Sequence, residues 1–141
     1  MEWKSKNYLL EDGSKKMLGQ MVGPKGIILF FYPKASTTFC TLEVNCFQEN
    51  LSEIKSKGYS VAGVSMDHKT EQEKFAKECN IDYSLICDTD LILHKGFNTI
   101  NGETPTEEDR STFILDKNLD MIHEFRNIDA VEHIKEVIGK L

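Results

Sequence analysis

The chain has 141 residues, of which 40% are hydrophobic and 28% charged, and a formal net charge of −6. That length suits one globular domain around a single core, and the negative balance, with Lys and Arg scattered along the chain, excludes a nucleic-acid partner. The longest apolar stretch, Gly26 to Tyr32, is far too short to span a bilayer, so no membrane partner is expected.

The opening residues Met1-Glu2-Trp3-Lys4-Ser5-Lys6 do not lead into an apolar run. No secretory signal is expected from them, and a cytoplasmic location follows as the expectation. Structural disulfides are rare in that compartment. The four cysteines, Cys40, Cys46, Cys79 and Cys87, therefore call for core packing, metal binding or redox chemistry.

In chain order, Tyr8-Leu9-Leu10 reads as a short strand and Asp12-Gly13 as a turn. Gly26 to Tyr32 is short, β-branched and aromatic, and is stopped by Pro33. It reads as a strand buried on both faces. A helix is expected from near Cys40 to about Ser56, with Val44, Phe47, Leu51 and Ile54 at helical spacing and Cys40 on the same stripe. Tyr59 to Met66 is a second buried strand. Thr70 to Cys79 is a helix with Phe75, Ala76 and Cys79 on one side, and Ser84 to Cys87 a short strand. Leu91 to Phe97 reads as a helix. Ser111–Leu115 and Met121–Phe125 flank the turn Asp116-Lys117-Asn118 as a hairpin, and Ala130 to Leu141 closes the chain as an amphipathic helix. No repeat or linker divides the sequence, so a single domain over 1–141 is expected. The element order predicts a three-layer α/β sandwich around a mixed sheet, and the terminal hairpin makes that sheet thioredoxin-like.

The segment from Pro33 to Glu43 lies between a buried strand and a helix, where open α/β sheets put their active sites. Cys40 falls in the first helical turn. Unpaired backbone N–H groups and the positive dipole end favour a thiolate there, and the thiolate is the nucleophilic form. Position alone also allows a plain core cysteine, since free cysteines are among the most buried residues.

The pattern P-x-x-x-T-x-x-C formed by Pro33, Thr37 and Cys40, after Leu29-Phe30-Phe31-Tyr32, resembles the active-site signature of the peroxiredoxins. Phe31-Tyr32-Pro33-Lys34 with Cys40-Thr41-Leu42-Glu43 is similar to the bacterioferritin-comigratory, or Q-type, subfamily. Further likenesses are Gly63-Val64-Ser65, Phe75-Ala76, Leu85-Ile86-Cys87-Asp88 and Arg110-Ser111-Thr112-Phe113-Ile114-Leu115-Asp116, so the resemblance runs from about residue 8 onward. It implies a thiol-dependent peroxidase that reduces hydrogen peroxide and organic hydroperoxides through a sulfenic acid at Cys40. Thr37 would hydrogen-bond the thiolate and the peroxide, and Pro33 would shield the thiolate from water. Arg110, protonated at any physiological pH, would favour the thiolate and the negative charge developing on oxygen. Glu43, one turn after Cys40, would orient Arg110 through a bidentate pair. Without the resemblance, Arg110 reads as a surface partner of Glu107, Glu108 or Asp109. No cofactor or metal is implied. The partners the resemblance implies are a peroxide and thioredoxin or another dithiol reductant, and a monomer or weak dimer is expected.

The sequence departs from the subfamily pattern in three places. Thr37-Thr38-Phe39-Cys40 stands where T-P-G-C is usual, which predicts a narrower approach past Phe39. The stretch from Phe97 to Arg110 is short, which predicts a reduced rim. The usual resolving position, five residues after the nucleophile, is Asn45, and Cys46 follows it. An intact helix puts neither offset on the face of Cys40, so a bond from Cys40 to Cys46 requires the helix start to unwind. Cys79 is the rival resolver, an external thiol the third route, and Cys87 looks structural.

Two other classes compete. A thioredoxin-like reductase would share the fold but needs C-x-x-C at the helix start, where this chain has Thr37 and Glu43 three residues either side of Cys40. A metal-binding domain would draw on the cysteines and His68, His94, His123 and His133, but none form the close pairs of structural zinc sites. These histidines read as solvent-facing.

Overall fold

The apolar run starting at Gly26 becomes the middle strand of the molecule, and the other elements are arranged around it. The computed structural model describes residues 2–100, 110–126 and 132–141. Its elements, in chain order, are α1 (Glu2–Ser5), β1 (Tyr8–Leu9), β2 (Lys15–Lys16), a 3-10 turn (Leu18–Gln20), β3 (Gly26–Phe31), α2 (Thr38–Glu49), α3 (Leu51–Ser56), β4 (Tyr59–Ser65), α4 (Lys69–Cys79), β5 (Ser84–Cys87), α5 (Ile92–Gly96), β6 (Ser111–Asp116), β7 (Met121–Arg126) and α6 (His133–Gly139). The main sheet has the order β5-β4-β3-β6-β7. β3, β4 and β5 run parallel, and β6 is antiparallel to both β3 and β7. β1 and β2 form a small hairpin tied to β5 through a bridge from Leu10 to Ile86.

Side chains alternate across β3, and each set feeds its own core. Ile28, Phe30 and Tyr32 pack with Val44, Phe47, Leu51, Ile54, Phe75, Ile134 and Val137 from α2, α3, α4 and α6. Ile27, Leu29 and Phe31 pack with Tyr8, Leu18, Leu93 and Phe97 on the opposite face. Every residue of β3 is buried, as expected of a strand covered on both sides. The result is a thioredoxin-like three-layer α/β sandwich around a mixed sheet. Gly63 of β4 is required by packing: a Cβ there would come within 2.8 Å of the Phe30 ring and of Leu85.

Several expected boundaries shift. The long helix expected to run to Ser56 is two helices, because Asn50 leaves helical geometry at φ −102° and ψ 7°. Its side-chain amide donates to the Cys46 carbonyl at 2.8 Å, the local competition with the backbone that asparagine brings to a helix. The helix expected from Leu91 begins at Ile92, with Leu91 in the left-handed region at φ 62°. In the terminal helix, Ala130 lies outside the described residues.

The histidines also need correction. His68 is exposed, but His94 and His133 are buried. His94 Nδ1 lies 2.6 Å from Asp88 Oδ2, and that carboxylate also accepts the backbone N–H groups of Leu93 and His94. Asp88 thus seats the start of α5 and the imidazole together.

Candidate active site

The site forms where β3 gives way to α2. Tyr32 extends β3 by donating its N–H to the Val64 carbonyl at 3.0 Å, and its hydroxyl bonds Gln72 of α4. The connecting loop from Pro33 to Thr37 is braced by Asp67, whose carboxylate accepts the Ala35 N–H and the Ser65 hydroxyl, each at 2.7 Å. Ser36 turns the chain in the left-handed region at φ 63°. Thr37 then caps α2 in an extended conformation, φ −87° and ψ 159°, so Cys40 is the third residue of the helix.

Cys40 is completely buried. Arg110 enters from the start of β6, 1% exposed. Its Nη2 donates to Cys40 Sγ at 3.3 Å and its Nη1 to Glu43 Oε1 at 2.6 Å. The guanidinium therefore bridges the thiol and the carboxylate one turn below it, in place of the expected two-point grip on Glu43. Arg110 is buried and not at the surface, and its alternative partners Glu107, Glu108 and Asp109 lie outside the described residues. Behind Glu43, His133 of α6 places Nε2 3.6 Å from Glu43 Oε2 and 3.2 Å from Thr112 Oγ1. Cys40 thus sits buried at a helix start with a fixed cation on its sulfur.

The remaining expected residues are placed as follows. The Thr37 hydroxyl donates to the Lys34 carbonyl at 2.8 Å, which engages its one proton. Pro33 is half-buried. Phe39, next to Cys40 in α2, is 56% exposed. The shortened rim lies outside the described residues over 101–109. All four cysteines are free thiols. Cys46 and Cys79 are half-buried, and burial pushes both thiols up, helped by Glu49 and Glu43 at Cys46 and by Glu78 at Cys79. Cys87 is pushed up to about 12, first by burial and then by Glu11 and Asp67.

Three contributors were not anticipated: Asp67, Gln72 and His133. His133 had a readable signal, since it stands one residue before Ile134 and four before Val137, on the buried stripe of α6.

A buried cysteine at the start of the helix after the first central strand, with an arginine on its sulfur, defines a cysteine redox enzyme on a thioredoxin-like scaffold. The chain belongs to the AhpC/TSA family, whose pattern it matches over residues 3–123, and its relatives are Q-type peroxiredoxins, which are thiol-dependent peroxidases. It is 34% identical over 122 residues to a putative peroxiredoxin bcp of Helicobacter pylori, covering 83% of this chain and 80% of the relative. It is 30% identical to peroxiredoxin Bcp of Bacillus subtilis, covering 83% and 78%. A solved structure of Xanthomonas campestris peroxiredoxin Q superposes with a TM-score of 0.87 at 25% identity, covering 97% of this chain and 89% of that one.

Proposed function

We propose that Cys40 is the peroxidatic cysteine and that Arg110, Glu43, Thr37 and Pro33 form its site. The observation that carries the reading is the 3.3 Å contact from Arg110 Nη2 to the buried Sγ of Cys40. In the reaction the Cys40 thiolate attacks one peroxide oxygen. The S–O bond forms, the O–O bond breaks, and the leaving alkoxide or hydroxide takes a proton. Arg110 and the backbone N–H groups at the start of α2 favour the charge that moves onto oxygen. Glu43 keeps the guanidinium in place. The Thr37 hydroxyl turns from the Lys34 carbonyl toward the peroxide when substrate enters, and Pro33 limits access of water.

Cys46 then attacks the Cys40 sulfenic acid, forming a disulfide and releasing water. Thioredoxin or a similar dithiol restores both thiols by exchange. We place this cycle in one peroxidase domain spanning 1–141, cytoplasmic, working as a monomer or weak dimer on hydrogen peroxide and organic hydroperoxides. Among the described residues no helix is long and apolar enough to cross a membrane.

Cys40→Ser is the direct test. Replacing a buried sulfur by oxygen leaves the fold, checked by circular dichroism, and is expected to abolish peroxide consumption with any thiol reductant. Turnover comparable to the parent would remove Cys40 from the role.

A further inference from the structure

We infer that His133 is a positioning residue for the peroxidatic centre: through Glu43 it holds Arg110 on the sulfur of Cys40. The inference rests on Cys40 being the nucleophile. It starts from a chain of four side chains drawn from three parts of the fold. Cys40 and Glu43 come from α2, Arg110 from the start of β6, and His133 from α6. The successive separations are 3.3 Å, 2.6 Å and 3.6 Å, and every member is at most 5% exposed. A buried carboxylate is costly unless its oxygens are matched. Arg110 matches Oε1 of Glu43, and the His133 imidazole lies 3.6 Å from Oε2.

The imidazole is itself held on more than one side. Its Nε2 also lies 3.2 Å from the Thr112 hydroxyl of β6, and Phe47 of α2 meets its ring edge-on at 6.2 Å. Among the described residues, Glu43 is the charged group that faces the ring, with Arg110 behind it. With the proton on Nε2, the Thr112 hydroxyl oxygen accepts it at 3.2 Å, and the same N–H edge faces Glu43 Oε2 at ion-pair distance, 3.6 Å. Glu43 would then keep one rotamer, and Arg110, which depends on Glu43 for its angle of approach, would keep its second nitrogen on the sulfur. Such networks gain strength from mutual polarisation in a low-dielectric interior. A displaced positioning group costs rate even when it never touches substrate.

The test compares three substitutions in the full chain. Gln places an amide nitrogen near the position of Nε2. Asn places it near Nδ1, and Phe keeps the ring without a nitrogen. Two quantities are read: the second-order rate of hydrogen peroxide attack, and the pH midpoint of Cys40 alkylation, followed by mass spectrometry of the Cys40 peptide. His133→Phe and His133→Asn are expected to slow attack about tenfold, the scale of a modest misplacement of a reacting group, and to move the alkylation midpoint to higher pH. His133→Gln is expected to stay near the parent in both. In a Glu43→Gln background, His133→Asn should add little, because its route to the sulfur is already cut.

A merely structural histidine would lower thermal stability in all three variants and leave the alkylation midpoint in place. That result overturns the inference, as does a loss in Asn and Gln alike, or an undiminished Asn effect in the Glu43→Gln background. Should Phe prevent folding, the Asn and Gln pair decides. Failure of the underlying reading is separate: peroxide reduction by Cys40→Ser would remove the nucleophile, whatever His133 does.

Discussion

Arg110 serves two groups with one planar fork, Glu43 on Nη1 and Cys40 on Nη2. Lysine carries the same charge but as a single point, and cannot hold both at fixed angles. Arg110→Ala is expected to slow peroxide attack about a hundredfold, the usual cost of losing one donor to a developing charge, and to move Cys40 reactivity to higher pH. Arg110→Lys should fall between. Stopped-flow rates over a pH series check both, and an unchanged rate in Arg110→Ala would return the arginine to a packing role. At this scale the legible residues were those close in sequence. Cys40 and Glu43 stand one helical turn apart, so the motif carries their juxtaposition. Arg110 lies 70 positions from Cys40, and only the resemblance brought it to the site. Asp67 and Gln72 act through hydrogen bonds to the loop and to Tyr32, which no local periodicity encodes. His133 was misread because a polar side chain on an amphipathic helix was assigned outward although its spacing placed it inward.

At the scale of elements, α2 sets a condition on turnover. Cys40 and Cys46 share this one helix, where six residues rise about 9 Å. Bonded cysteines need Cα atoms about 4.4–6.8 Å apart. Closing that bond requires the first turns of α2 to open, and burial pushes the Cys46 thiol up in the closed helix. Cys46→Ser is expected to retain the first oxidation and accumulate sulfenic or sulfinic acid at Cys40, while losing turnover with thioredoxin. Peptide mapping of the oxidised parent checks the pairing; a bond from Cys40 to Cys79, or none, would count against it. The helix and strand cores were readable from spacing, because buried stripes at periods of 3.6 and 2 directly reflect the layers they face. The ends were less so. Asn50 stops α2 through a side-chain bond, and the β1–β2 hairpin closes on two exposed lysines with no apolar signal.

For the molecule as a whole, buried acidic protons set the alkaline limit. Cys87 rises from an ordinary value of 9.0 to about 12, and burial lifts Tyr8, Tyr32 and Tyr83 above their usual range. Above pH 9.0 the unfolded chain gives up its thiol protons while the folded chain retains that of Cys87. The unfolded state then binds fewer protons, so stability falls as pH rises. Thermal stability is expected to fall progressively from about pH 9 to about pH 12, less steeply in Cys87→Ala. A flat profile across that range would contradict the burial of these groups. The overall layering was the most legible level, because continuous apolar strands, two helices between them and a closing hairpin leave few ways to stack.

The central sheet also acts as a bulkhead between two dry compartments. One holds α2 with Ile28, Phe30 and Tyr32, and the other holds Ile27, Leu29 and Phe31 against the opposite layer. Flooding the first, as the opening of α2 would do, leaves the second sealed. Opening the start of α2 would therefore draw on the first compartment alone, with the sheet and the opposite layer left in place.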